Sequence, residues 1–292
     1  MSTFHVRLKE AISSKGTAVC LGLDPHPGQF PPCLQALLAQ RGAGEGLAQW
    51  AQQLLEIAAP LVPAVKFQSA CFEALGWQGW RCLTEVAESA GRLGLLTIFD
   101  GKRGDIASTM HAYGVAVFEQ LAMDVMTVQP YLGLEVITAL KPWLHKGKGI
   151  YLVWMTSNPT HQLIQLYQGV NARTLSEDLL SAFSALLLRE GLLASCGVVL
   201  GATRLSSLPA PILSQAEGFP LLLPGLGEQG GDLGKCAERL LRPGAGHLFP
   251  LSRSLSGLGS SQWQEVMASF SLQEYFTWFE NNLRATAPRF SP

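Results

Sequence analysis

The chain has little charge, no patterned cysteine and no run long enough to cross a membrane. Asp, Glu, Lys and Arg make up only 15% of its 292 residues and nearly cancel, leaving a formal net charge of −1. Such a chain offers no electrostatic footprint for nucleic acid or an anionic membrane, so any anionic ligand must be met locally. Its six cysteines (Cys20, Cys33, Cys71, Cys82, Cys196, Cys236) include no C-x-x-C pair, and several sit inside apolar runs. They read as small core residues, reduced thiols of a cytoplasmic protein. No stretch reaches the ~18 consecutive apolar residues of a spanning helix. The start, MSTFHVRLKEAISSKG, mixes Arg7, Lys9 and Glu10 with apolar positions and reads as a short amphipathic helix, with no signal peptide. No G-x-G-x-x-G follows the first apolar run, and H-E-x-x-H is absent. No G-x-S-x-G surrounds Ser157. These absences argue against a dinucleotide-binding open sheet, a zinc hydrolase and a hydrolase elbow. The six histidines lack metal-ligand spacing, so no metal site is expected.

What is present in quantity is apolar sequence, 48% of the chain, which excludes disorder and favours a heavily buried sheet. Short apolar runs recur at intervals of about 25 to 45 residues, the spacing of βα units. Eight are read as strands: Ala18 to Leu23, Ala64 to Phe67, Leu95 to Phe99, Val125 to Val128, Ile150 to Met155, Gly197 to Leu200, Leu221 to Leu223 and His247 to Leu251. Helical periodicity is expected over Leu47 to Ala59, Phe72 to Leu93, Met110 to Met123, Glu135 to Leu144, Leu175 to Glu190, Leu233 to Leu241 and Gln262 to Asn282, with a weaker helix near Ser206 to Gln215. Eight such alternations with right-handed crossovers close most simply into a (β/α)8 barrel, an α/β fold, here spanning residues 1–292 as one domain. A short helix would precede it. Pro25 to Gly46, with four prolines and four glycines, reads as a long loop after the first strand.

The third strand ends in the most informative stretch, LLTIFDGKRGDIAST, Leu95 to Thr109. Side chains repeat every second residue in a strand, so Asp100 and Lys102 leave on one face, and a turn through Gly101 and Gly104 would swing Asp105 back beside them. Any one of these charges alone reads as a solvated turn. As a triplet at the carboxyl end of a buried strand, they stand where barrels place their chemistry.

Other strand exits supply partners. Lys66, between Val65 and Phe67, would point its ammonium into the barrel mouth, where it needs anions such as Asp24, Asp100 and Asp105. Taken alone, these charges also fit a structural ion-pair network. The seventh strand runs into Gly225-Leu226-Gly227-Glu228-Gln229-Gly230-Gly231, whose glycines would let backbone N–H groups approach an anion, and the eighth ends in Ser252-Arg253. Phosphate suits that pair of exits in a barrel, with the planar Arg253 fork facing its oxygens.

Taken together, LGLDP from Leu21, VKFQ from Val65, DGKRGDIAST from Asp100, TSNP from Thr156, GLGEQGGD from Gly225 and SRS from Ser252 resemble orotidine 5′-phosphate decarboxylase of the longer bacterial type. A related sugar-phosphate aldolase, hexulose-6-phosphate synthase, shares D-x-K-x-x-D, while TSNP and the KRGDI extension favour the decarboxylase. The resemblance implies a cofactor-independent conversion of orotidine 5′-phosphate to UMP and CO2, with a catalytic tetrad of Lys66, Asp100, Lys102 and Asp105. It implies that Asp24 and Lys66 hold a ribose hydroxyl and that Ser157 reads the pyrimidine edge. The 5′-phosphate would be gripped by Gln229 and Arg253, with backbone near Ser252 and the cradle glycines Gly225 and Gly230. Asp105, Ile106 and Thr109 would enter the site of a second subunit, making the working unit a homodimer. The length leaves no room for a fused phosphoribosyltransferase domain, so the preceding step is expected on another chain. A Mg2+-dependent aldolase and a non-catalytic nucleotide-binding barrel are the alternatives. Gly101, Glu228 and Pro250 depart from the family pattern.

Overall fold

Each strand run forms where its apolar residues are buried on both faces, as the parallel arrangement demands. The computed structural model describes residues 2–169, 171–205, 208, 210–226, 240–259 and 261–292. Its strands are β1 (Val19–Leu23), β2 (Ala64–Gln68), β3 (Leu96–Arg103), β4 (Val125–Val128), β5 (Gly149–Met155), β6 (Cys196–Leu200), β7 (Leu221–Leu222) and β8 (Phe249–Leu251). They form one parallel sheet in the order β7-β6-β5-β4-β3-β2-β1-β8. Between β7 and β8 the ring is closed by a parallel bridge of Leu222 to Leu248. There the Leu223 N–H donates to the Leu248 carbonyl at 2.9 Å and the Leu248 N–H to the Leu221 carbonyl at 2.8 Å. The eight expected strands are therefore all present, in a closed barrel.

The helices match in place more than in length. Leu175–Glu190 forms as expected because its ends are encoded locally. Thr174 and Glu177 make a capping box, and Gly191 stops the helix in the left-handed conformation at φ 67°. Leu47 to Ala59 begins earlier, in a helix spanning Ala43–Ala58. The stretch expected as one helix from Phe72 to Leu93 is divided into Ser69–Glu73 and Gly76–Arg92 at Gly76, φ 62°. Glu135 to Leu144 forms two single turns, and the second starts at Lys141-Pro142, where proline lacks the N–H that would continue the first. The helix expected over Met110 to Met123 starts and ends three residues earlier, as Ala107–Gly114 followed by a π-helical turn, Val115–Gln120. The carboxyl-terminal stretch is divided into Ser261–Met267 and Leu272–Thr286, the latter started by a Ser271–Glu274 capping box. The weaker helix is Ala210–Ala216, while Leu233 to Leu241 falls largely outside the described residues.

The expectation for the segment after β1 is overturned. Pro25 to Gly46 is not a long loop: it holds a 3-10 turn, Pro27–Gln29, and a helix, Pro32–Arg41. The prolines stand before and at the first turn and Gly42 ends the helix at φ 83°, so the breakers mark its limits and leave CLQALLAQR, good helix formers, between them.

The amino-terminal helix Phe4–Lys15 seals the bottom of the barrel. The Phe4 ring meets Tyr151 edge-on at 5.6 Å, and a Cβ on Gly149 would lie 2.6 Å from that same ring. Arg7 donates to Asp124 at 2.7 Å and to the Gly147 carbonyl at 2.9 Å. Asp124 in turn accepts from the Thr97 backbone N–H and hydroxyl, each at 3.0 Å, tying the helix to the starts of β3 and β4. Among the described residues, no helix is long and apolar enough to cross a membrane, and Cys20, Cys33, Cys71, Cys82 and Cys196 are free thiols. Asp124→Ala strands the Arg7 fork and two Thr97 donors, so it should lower unfolding stability by about 2–3 kcal/mol; an unchanged denaturant midpoint would refute this account of the seal.

Candidate active site

At the carboxyl ends of the strands, Lys66 of β2 stands between two carboxylates. Its Nζ lies 3.3 Å from Asp24 Oδ1, just after β1, and 3.2 Å from Asp100 Oδ2 in β3. Strand pairing dictates this arrangement, with Gly22 opposite Lys66 and Gln68 opposite Asp100. Lys66 is only 5% exposed. Burial alone would pull its pKa down, but Asp24 and Asp100 together outweigh that and hold it above the ordinary lysine value.

Asp100 is the hub. Besides Lys66, it accepts from Lys102 Nζ at 2.8 Å and from the Thr127 hydroxyl at 2.9 Å. With its amide oriented by its neighbours, Gln68 donates to the Asp100 carbonyl at 2.7 Å and to Oδ2 at 3.3 Å. Burial pushes the Asp100 carboxyl upward, but the Lys66 and Lys102 ammonium groups and the hydrogen bonds from Lys102 and Thr127 pull it down to about 2.

The charges do not leave the strand through a glycine turn, as expected from the sequence. β3 continues to Arg103 with a bulge: Phe99 pairs with Met126 and Arg103 with Val128, so three residues lie between the paired positions of β3 against one in β4. The residue that takes the left-handed backbone is Lys102 itself, at φ 45°, a conformation that costs a non-glycine residue about 1–3 kcal/mol. Thr127 compensates, accepting the Lys102 N–H at 2.8 Å while donating to Asp100. Gly101 is required for closeness, because a Cβ there would lie 2.3 Å from Phe99 Cε1. That accounts for one departure from the family pattern. Gly104 likewise lies against Gln129, whose Nε2 would be 2.3 Å from an added Cβ.

One cavity gathers most of the expected residues: Asp24, Lys66, Asp100, Lys102, Ser157, Gly225, Ser252 and Arg253 line it, as does Pro250. Asp105, Ile106 and Thr109 do not line it. Asp105 does not swing back to the lysines. Its carboxylate accepts from the Ile106 N–H at 2.7 Å, because the chain leaves the bulge directly into the helix Ala107–Gly114. Gln229, Gly230 and Glu228 lie outside the described residues.

Several supporting residues escape a reading by motif. Arg204, after β6, donates to the carbonyls of Thr156 and Ser157, both at 3.1 Å, and so fixes the β5 exit. Gln165 takes the Thr156 N–H and donates to its hydroxyl, both at 3.0 Å. A Cβ on Gly201 would meet Ser157 N at 2.9 Å, so the residue that follows β6 must be bare where the β5 exit passes it. The turn Arg253–Ser256 is held from the carboxyl-terminal helix, where Asn282 donates to the carbonyls of Ser254 and Leu255 at 2.8 and 3.0 Å. None of these supporting residues, nor Thr127 beneath the bulge, belongs to a sequence motif, because each acts on a strand or turn elsewhere in the chain.

The site is thus an alternating set of two lysines and two carboxylates beside a cavity that ends at an arginine. The family model described as Orotidine 5′-phosphate decarboxylase / HUMPS family matches residues 17–242. The chain is 36% identical over 245 residues to the orotidine 5′-phosphate decarboxylase of Dehalococcoides mccartyi (strain CBDB1), covering 82% of this chain and 83% of that one. It is 36% identical over 255 residues to that of Deinococcus radiodurans, covering 87% and 89%. The structure of Leishmania donovani OMP decarboxylase superposes with a TM-score of 0.72 at 25% identity, covering 95% of this chain and 98% of that one. A barrel with this Asp24–Lys66–Asp100–Lys102 array and this extent of similarity belongs to the orotidine 5′-phosphate decarboxylase / HUMPS family.

Proposed function

We propose that the chain removes CO2 from orotidine 5′-phosphate to give UMP, closing the synthesis of pyrimidine nucleotides. The observation that carries this reading is the placement of Lys102 Nζ against a carboxylate that stays ionised, at the edge of a cavity large enough to bring in several strand exits. Loss of CO2 from the C6 carbon of the pyrimidine leaves an electron pair in an sp2 orbital, with no carbonyl positioned to delocalise it. The barrier therefore falls only if a fixed positive charge lies beside that carbon. Lys102 supplies that charge and then a proton to C6. Asp100 keeps the ammonium aimed and would face the departing carboxylate.

The other assignments follow the same geometry. Asp24 and Lys66, at 3.3 Å from each other, offer an acceptor and a donor to a ribose hydroxyl. Ser157, held by Arg204 through its carbonyl, would read the pyrimidine edge. Arg253 and the backbone near Ser252 would bind the 5′-phosphate together with Gln229 and the glycines Gly225 and Gly230. Binding there, far from C6, lets phosphate contacts contribute to closure over the reacting carbon.

We also propose a homodimer, in a cytoplasmic protein that binds neither nucleic acid nor membrane. Asp105 lies outside its own chain's cavity, and apolar side chains surround that rim: Ile106 is 67% exposed, and Tyr131 and Leu132, at the exit of the adjacent strand, are 81% and 56% exposed. An apolar rim of this kind fits a second copy of the chain, with Asp105, Ile106 and Thr109 entering the neighbour's site. Metal-dependent aldol chemistry is disfavoured because the Lys66 ammonium already bridges Asp24 and Asp100, the carboxylates such an ion would need.

The loss of orotidine 5′-phosphate absorbance should proceed undiminished in excess EDTA, and Lys102→Ala should lower kcat by ~10^4-fold while UMP still binds. Activity retained in EDTA excludes the metal-dependent aldolase alternative, and UMP binding without CO2 release would point to a non-catalytic barrel. Arg253→Ala should weaken UMP binding by roughly 30–100-fold; calorimetry giving an unchanged Kd would remove Arg253 from the phosphate site. Asp100, lowered from 3.8 to about 2, stabilises the fold fully above its unfolded value and loses that contribution as pH falls through about 2. The stability difference between wild type and Asp100→Asn should hence be flat above pH about 4 and shrink below it, and a difference that already shrinks near neutral pH would contradict the ion-pair assignment.

A further inference from the structure

The β3 bulge carries its chemistry on the inner side, and its outer side is closed by a cluster that the reaction does not use. Phe99 and Arg103, the residues on either side of the bulge, both regain register with β4. The Arg103 guanidinium lies 5.4 Å from the Phe99 ring centroid and 5.2 Å from that of Tyr113. It also pairs with Glu73, at the end of the helix that follows β2. Trp80 stacks on Phe99, at 6.5 Å and 21°. The cation therefore spans the bulge from Phe99 to Arg103 and ties it to the helix Ala107–Gly114 through Tyr113.

This cluster is tight and costly. Gly101 lies so close beneath Phe99 that no side chain fits. Arg103 Nε is buried and has no hydrogen-bond partner among the described residues, a penalty that interiors normally avoid. A guanidinium kept there despite the penalty has its position set by two rings and one carboxylate. Beyond the clamp the Gln129 N–H bonds to the Arg103 carbonyl at 2.9 Å, which fixes where the chain rejoins the ladder. Between those fixed ends, Lys102 is held in a backbone conformation that it would leave if released.

We propose that Arg103, clamped by Phe99, Tyr113 and Glu73, is a positioning residue for Lys102: it holds the bulge closed from outside so that the Lys102 ammonium stays on Asp100 and faces the cavity. The effect on turnover rests on the decarboxylase reading above; the effect on the bulge rests on the geometry alone. Tyr113 extends the clamp to the helix that follows Asp105 and Ile106, so one cation sets both the own-site lysine and the segment proposed to serve the neighbour.

The test compares wild type, Arg103→Met, Arg103→Lys and Tyr113→Leu, the last keeping the Glu73 pair in case Arg103→Met does not fold. Hydrogen exchange by mass spectrometry is read on peptides covering 99–105, with Leu175–Glu190 as an internal standard, beside kcat and KM for orotidine 5′-phosphate. We expect Arg103→Met and Tyr113→Leu to speed exchange in 99–105 tenfold or more without changing the standard. We expect kcat to fall at least tenfold in Arg103→Met while KM moves less than threefold, and Arg103→Lys to recover most of kcat. Unchanged exchange in 99–105 overturns the clamp whatever the activity. Faster exchange with unchanged kcat, or kcat and KM changing in parallel, overturns its role in positioning Lys102. A wild type that releases no CO2 refutes the decarboxylase reading and with it the kinetic half of the proposal, while the exchange result still decides the clamp.

Discussion

A lysine ammonium almost wholly removed from water, between two carboxylates at 3.2 and 3.3 Å, is the interaction on which the rest of this site depends. An isolated buried charge would cost several kcal/mol and would shed its proton. Lys66 keeps its proton because β1 and β3, its two neighbours in the sheet, each deliver a carboxylate at the same height. The same electrostatics work in reverse on Asp100, whose burial would otherwise make it neutral. Each group is ionised because the other is, and removing one changes the state of the remainder.

That mutual dependence sets the geometry of β3. Asp100 must face the cavity to meet Lys66, and Lys102 must face it as well to reach Asp100. Two inward side chains separated by one residue are ordinary in a strand, but the ladder to β4 cannot continue past them in register. The extra residues are taken up in a bulge whose strain falls on Lys102. Thr127 holds the bulge from inside by bonding both the Lys102 amide and the Asp100 carboxylate. Bulges beside active sites often re-aim a side chain in this way.

Much of this could be read from the residues. The apolar runs identify all eight strands within a few residues, because a parallel strand buried on both faces leaves a continuous apolar signature. The lysines and aspartates that meet at the mouth were legible for a related reason: a charge inside or directly after such a run has few places to go. The exit residues Ser157, Ser252 and Arg253 follow from the rule that barrels work at the carboxyl ends of their strands. What misled was punctuation. The prolines and glycines of Pro25 to Gly46 suggested a loop, although they only bound a helix, and the glycines after Asp100 suggested a turn, although they only make room for Phe99 and Gln129.

The sequence by itself therefore determined the order of βα units, the barrel and the identity of the charges at its mouth, since each is set by local periodicity and by the cost of burying charge. Only the tertiary structure decided the conformation of Lys102, the use of Thr127, Gln68 and Arg204 as supports, and the departure of Asp105 from its own cavity. Those outcomes depend on register between strands far apart in sequence and on the space left by packed rings. Neither quantity is encoded in any one segment, so no local pattern could have revealed them.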